Sequence, residues 1–211
     1  MLSTVNALGM AAGILIDMPG RITSAAFVGR KDQLERLHDA FDATLTTPAV
    51  VLIGGEAGVG KTRLVYEFAA GIPEARVLVG TCVELGQAVM PFLPLAGILR
   101  QLSRALGPEE TQRLYGAELL RFLPDQGSSS AGTGEGEQSG LFEAVLALLG
   151  RLAEISPVVL VIEDLHWADR STLDLLGFLA RNVSSMRAML IGTTDQTRCG
   201  AHMHCVPSSR S

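Results

Sequence analysis

The segment Gly55-Glu56-Ala57-Gly58-Val59-Gly60-Lys61-Thr62 fits the pattern G-x-x-x-x-G-K-[ST] without a mismatch. Its chemistry follows from the residue types. Glycine takes positive φ at no steric cost, so successive backbone N–H groups can turn inward and offer donors to phosphate oxygens. The loop opens a helix, whose first amides and dipole add attraction for an anion. In such a loop Lys61 reaches the β- and γ-phosphates, and the Thr62 hydroxyl ligates Mg²⁺. The competing explanation is a glycine-rich turn that matches by accident. The flanks weigh against it: a buried-strand run precedes the loop and an amphipathic helix follows. Lysine is also scarce here, Lys31 being the only other one.

A second constellation ends another apolar run, Val158-Val159-Leu160-Val161-Ile162-Glu163-Asp164. Where strands of a phosphate-binding α/β sheet converge, one carboxylate can hold Mg²⁺ and its neighbour can orient or deprotonate an attacking water. By position Glu163 takes the metal role and Asp164 the water-activating role. Two solvated acids at a strand end are the plainer alternative. Two features strain the assignment: consecutive side chains of a strand point to opposite faces, and the usual P-loop ATPase order places Asp first.

These residues need a frame. Leu34, Leu37, Phe41 and Leu45 share one face of a helix that Pro48 ends. Residues 49–53 are continuously apolar and β-branched, which predicts a strand buried on both faces. A helix follows the glycine loop to about Ala70, and residues 76–79 read as a short strand. Pro91 and Pro108 mark the starts of helices over 92–106 and 109–122. Residues 124–140, dominated by Gly, Ser and acids, predict a flexible surface loop. Phe142, Val145, Leu149 and Leu152 then line a helix over 141–155, which Pro157 breaks. A strand over 158–162, a helix over 170–182 and a strand over 188–193 complete the pattern. Strands alternating with helices predict an α/β domain with a mostly parallel sheet.

Bulk properties narrow the function classes. A chain of 211 residues can bury one core, and 47% hydrophobic against 18% charged residues excludes a disordered chain. The net charge of -5 gives no general attraction to nucleic acid or acidic membranes, and no local basic patch offsets it. Cys82, Cys199 and Cys205 form an odd set without a CxxC pair, which suits a reducing cytoplasm better than a disulfide framework. The apolar stretch 7–16 is interrupted by Gly9 and Gly13. It falls short of the roughly 20 residues that span a bilayer, so residues 1–26 read as a weakly ordered leader and no membrane role is expected.

Three pieces together carry a family resemblance: Phe27-Val28-Gly29-Arg30 ahead of the first helix, the glycine loop, and Glu163-Asp164-Leu165-His166-Trp167-Ala168-Asp169. They resemble the origin-recognition-like AAA ATPase module of large signal-transduction ATPases. Bacterial LuxR-type ATP-binding transcriptional regulators and some multidomain nucleotide cyclases carry it. The resemblance covers about residues 27–194 and implies a three-layer α/β/α P-loop fold of the additional-strand type. It implies ATP and Mg²⁺ as ligands, Lys61 and Asp164 as catalytic groups, and the backbone of Val28, Gly29 and Arg30 as a lining for adenine. Read alone, Val28-Gly29-Arg30 is only a tight turn before a helix. His166 and Trp167 read best as a packed loop, with Asp169 capping the next helix.

The chain also departs from that family. The strand after the acidic pair commonly ends there in Gly-Thr-Thr-Arg or Gly-Thr-Tyr-Arg, whose arginine senses the γ-phosphate. Here Ile191-Gly192-Thr193-Thr194 is followed by Asp195, and an acid repels phosphate charge. Family-like sequence is therefore expected to end near Thr194, before a last core strand and a helical lid, with 195–211 a divergent polar tail. The missing strand would pair beside residues 49–53 and leave them as a hydrophobic edge. Cys199, His202, His204 and Cys205 lie too close in sequence for a structural zinc site, which draws ligand pairs from separated segments. Accidental composition is the better account of them.

The expected function is an ATP-binding switch domain with slow or impaired Mg-dependent hydrolysis. It would act on effector domains or protein partners of a larger signalling or transcription regulator. A non-catalytic nucleotide-binding module, or a non-functional fragment, is the alternative. A small-molecule kinase shares the glycine loop but not the family-like start or the segment 166–169. No helix-turn-helix or basic stripe is visible, so direct contact with nucleic acid is not expected.

Overall fold

A computed structural model of the chain describes residues 30–44, 49–84, 91–120, 135–183 and 186–195. Four runs rich in Val, Ile and Leu form strands, as their β-branched side chains favour: β1 (Ala49–Gly55), β2 (Arg76–Thr81), β3 (Val158–Glu163) and β4 (Ala188–Asp195). They pair in parallel in the order β1-β4-β3-β2. Each connection crosses over through helices, as parallel pairing requires. Strand β1 leads to α2 (Lys61–Ala70), while α3 (Leu93–Leu106), α4 (Pro108–Leu114), α5 (Ala117–Leu120) and α6 (Glu135–Ile155) lie between β2 and β3. Helix α7 (Arg170–Asn182) joins β3 to β4, and α1 (Lys31–Ala43) precedes β1.

Alternation along the strands divides the core between the two faces of the sheet. Val159, Val161, Met189 and Ile191 pack with Leu37 and Phe41 of α1 and Leu64, Val65 and Phe68 of α2. Their neighbours Val158, Leu160, Ile162 and Leu190 pack on the other face with Leu99 and Leu102 of α3, Leu149 and Leu152 of α6, and Leu179 of α7. The result is a three-layer α/β/α P-loop fold, with the carboxyl ends of β1, β3 and β4 at one pole of the sheet. Gly192 permits close packing at that pole. A Cβ there would lie 2.5 Å from Leu165 Cδ1 and 3.2 Å from Leu52 Cδ1.

Three expectations need correction. The first strand is not buried on both faces, since Val50 is 58% and Leu52 44% exposed. Among the described strands β1 pairs only with β4; its alternate residues Ala49, Val51 and Ile53 pack on the face covered by α1 and α2. The helix expected over 109–122 is divided into α4 and α5, because Tyr115 is extended and Gly116 interrupts the turn. Helix α6 begins at Glu135, inside the segment read as a loop. Further along the same helix, Leu141 and Val145 pack into the core. The leader 1–26, Leu45, residues 124–134 and the tail 196–211 lie outside the described residues. Among the described residues, no helix is long and apolar enough to cross a membrane.

The exposed edge carries a test. Val50→Lys should leave stability within about 0.5 kcal/mol, as exposed sites usually do, and lower concentration-dependent self-association by placing a charge on the edge. Sedimentation velocity across a concentration series would read this. Unchanged association would show that β1 is not the sticking surface.

Candidate functional site

The turn from β1 into α2 lies at the carboxyl end of the parallel sheet. Gly58 and Gly60 hold φ of 77° and 88°, a conformation that L side chains avoid. A Cβ at either would meet nothing within 4 Å, so backbone conformation rather than space demands glycine. Gly60 is the left-handed cap of α2, and its carbonyl accepts the first helical bond from Leu64 N–H at 3.0 Å. No acidic side chain occupies the first turn of α2, which suits an anion at its amino end.

Lys61 is only 8% exposed. Its ammonium donates to the Gly55 carbonyl at 2.9 Å and the Glu56 carbonyl at 3.0 Å, tying the loop across its own width. From outside the loop, the Arg30 guanidinium donates to the Val59 carbonyl. Arg30 thus holds the loop tip through its side chain, a contact that the tight-turn reading of Val28-Gly29-Arg30 gave no reason to expect. Val28 and Gly29 lie outside the described residues.

Opposite the loop, β3 delivers Glu163, 5% exposed. Burial pushes its carboxyl above the ordinary carboxylate range; a hydrogen bond with the Thr62 side chain opposes the shift, and the charge of Asp164 adds to it. Among the described residues its Oε1 has no hydrogen-bond partner. Glu163 and Thr62, far apart in sequence, therefore meet across the cleft. A carboxylate beside a hydroxyl, with a free buried oxygen, is the hard-oxygen donor set that Mg²⁺ takes, usually with waters and phosphate completing its shell. The residues present fit that ion.

Asp164 leaves the strand with φ of 57°, so strand alternation stops at Glu163. Asp and Asn tolerate this left-handed region better than most residues. The Asp164 N–H donates to Thr193 Oγ1 at 3.0 Å, fixing the turn to β4. Residues 165–167 then form a single 3-10 turn. Thr193 was part of the departing motif, but nothing in the sequence signalled its tie to Asp164.

Strand β4 brings its own end to the loop. Thr193, Thr194 and Asp195 are buried, and their register partners on β1 are Ile53, Gly54 and Gly55. Asp195 therefore stands beside the first residue of the glycine loop. Its backbone N–H donates to His166 Nδ1 at 3.2 Å, and the His166 and Trp167 rings lie 5.2 Å apart. Asp169 caps α7: Oδ1 accepts from Thr172 N–H at 2.9 Å, and Oδ2 accepts from Phe92 N–H at 3.3 Å. Cys82 lies near these acids, and burial, with Asp169 and Asp164 adding to it, pushes its thiol up to about 12. Such a thiol is unreactive at neutral pH. Among the described residues no cluster of His, Cys, Asp and Glu large enough to hold a metal alone was found; the zinc-like residues of the tail lie outside them.

An uncharacterized protein of Rhizobium meliloti is 25% identical over 190 residues, covering 79% of this chain and 18% of that protein. The chain thus spans under a fifth of the length of this curated relative. Among solved structures, Drosophila ORC bound to DNA aligns with 16% identity and a TM-score of 0.48, over 80% of this chain and 38% of that one. A mutant of Thermotoga maritima RuvB aligns with 16% identity and a TM-score of 0.40, over 81% and 40%. The model of the AAA ATPase domain family matches residues 26–191, a span that includes both the glycine loop and the acidic end of β3. The chain belongs to the AAA ATPase domain family.

Proposed function

We propose that this domain binds ATP with Mg²⁺ and acts as a switch within a larger signalling or transcription regulator. The observation that supports it best is the meeting of Thr62 and Glu163 beside a glycine loop that opens a helix with no acid in its own first turn. Lys61 exchanges the carbonyls of Gly55 and Glu56 for phosphate oxygens, and the loop amides take the remaining phosphate charge. Thr62 and Glu163 hold the ion, which when bound neutralises phosphate charge during transfer. Asp164 orients the attacking water and takes its proton. The new bond joins water oxygen to the γ-phosphorus, and the bridging P–O bond breaks with its electron pair leaving on ADP. Effector domains or partner proteins read the difference between the ATP and ADP states, since a ligand shifts a two-state element only through differential affinity. The cytoplasm, where ATP is abundant and free thiols persist, is the compartment that fits.

One observation favours a second reading, a nucleotide-binding module without turnover. Asp195, 3% exposed, is in register with Gly55, and its carboxylate opposes charge build-up on a transferring phosphate. Phosphate release by the chain and by Asp164→Asn separates the two. A catalytic switch should lose about a hundredfold or more in turnover, the range of general-base contributions, with ATP affinity little changed. Equal and negligible release by both proteins would leave the binding module.

A further inference from the structure

The amino ends of β2 and β3, at the pole away from the glycine loop, hold polar groups that nucleotide chemistry does not use. Arg76 opens β2; its N–H donates to the Pro157 carbonyl at 2.7 Å, and it pairs in register with Val158. It is 6% exposed. Among the described residues it forms no ion pair, and its Nη1 has no hydrogen-bond partner. Ser156, in the same link between α6 and β3, is 8% exposed with its Oγ likewise unpartnered. Nearby arginines are engaged. Arg187 Nη2 donates to the carbonyls of Ala153 at 2.9 Å and Glu154 at 3.3 Å, closing the carboxyl end of α6, and Arg151 Nη1 donates to the Leu114 carbonyl at 2.8 Å.

A guanidinium keeps its charge in proteins, and a buried charge without a counter-charge is costly. Burial lowers the Arg76 pKa from its ordinary value. We propose that Arg76 and Ser156 form a second anion site, at the amino ends of β2 and β3, that takes an oxyanion of the carboxylate or phosphoryl type. The planar fork of Arg76 matches two oxygens of either group, and Ser156 adds a hydroxyl donor. The six residues of β2 separate this pole from the nucleotide end by roughly 20 Å. The second site is therefore distinct from the phosphate loop.

The test uses the full chain carrying Lys61→Ala, so that phosphate at the glycine loop does not mask the signal. Inorganic phosphate and acetate are titrated against chloride at constant ionic strength. The readouts are the thermal midpoint and the arginine side-chain Nε–H resonances. At least one oxyanion should raise the midpoint saturably and shift one arginine resonance. Arg76→Met should remove that resonance and weaken binding by about tenfold or more, as loss of a charge-assisted pair does. Ser156→Ala should weaken it less. Response to phosphate alone assigns a phosphoryl ligand, response to acetate alone a carboxylate, and response to both their shared chemistry. A response no different from chloride overturns the proposal, as does binding that survives Arg76→Met. If Arg76→Met does not fold, undiminished binding by Ser156→Ala overturns it.

Discussion

Lys61→Ala is expected to weaken Mg-ATP binding by roughly a hundredfold or more. Lys61 is 8% exposed and its ammonium is bonded to two loop carbonyls, so it is positioned before a phosphate arrives. Exchanging those neutral acceptors for phosphate oxygens creates charge-assisted bonds, each worth about 1.5–3 kcal/mol. At about 1.4 kcal/mol per decade, loss of even the weaker estimate for two contacts gives that factor. Alanine also removes the tie across Gly55 and Glu56, so the variant's empty loop should be less ordered than the parent's. Calorimetric titration with Mg-ATP measures the affinity. Lys31→Ala, on the exposed start of α1, is the matched control and should bind as the parent does. Parent-like affinity in Lys61→Ala would remove the basis for reading residues 55–62 as a triphosphate cradle.

Glu163→Gln should have two effects of opposite sign. The buried carboxyl is pushed upward chiefly by burial, so the folded chain holds its proton more tightly than the unfolded chain does. Below the unfolded value, near 4.5 for a glutamate, the group costs the fold nothing. As pH rises from there through the raised folded value, the unfolded state releases its proton first, and stability is progressively lost. Glutamine has the same shape and no charge, so without nucleotide or Mg²⁺ the variant should flatten this loss. It should also raise the midpoint at neutral pH by about 2–4 °C, the shift that about 1 kcal/mol produces in a domain of this size.

With Mg-ATP the order reverses. Glutamine is a weaker ligand for a hard cation than a carboxylate, and the Mg-dependent part of ATP affinity should fall by about tenfold or more. In the parent this part should strengthen with rising pH across the same window, because proton and metal compete for one carboxyl. Thermal melts from pH 4 to 8, with and without Mg-ATP, read both effects. A Glu163→Gln variant that is less stable when empty, or that binds Mg-ATP as the parent does, would show that this carboxylate is structural.

Much of the site was legible because it is local. The glycine spacing of residues 55–62 dictates backbone φ and places a lysine and a threonine at a helix start. Those constraints act within one turn of chain, and Gly58 and Gly60 adopt the positive φ that their type permits. The strands were legible for a similar reason, since runs such as Val158 to Ile162 suit only a position covered on both faces. Local reading failed where neighbours decide. Val50 and Leu52 have the composition of a central strand, yet β1 pairs on one side only among the described strands.

Likewise, no periodicity could reveal that Thr193 fixes the turn at Asp164, that Arg30 grips the Val59 carbonyl, or that Asp195 stands in register with Gly55. Sequence determined which groups could bind a phosphate and which could hold a metal, because residue type sets charge and hydrogen-bonding capacity. Only the tertiary structure decided which of them meet, that burial pushes the Glu163 carboxyl upward, and that Arg76 is buried with no ion pair among the described residues. Burial and register arise from strands distant in sequence packing side by side, and no window along the chain contains them.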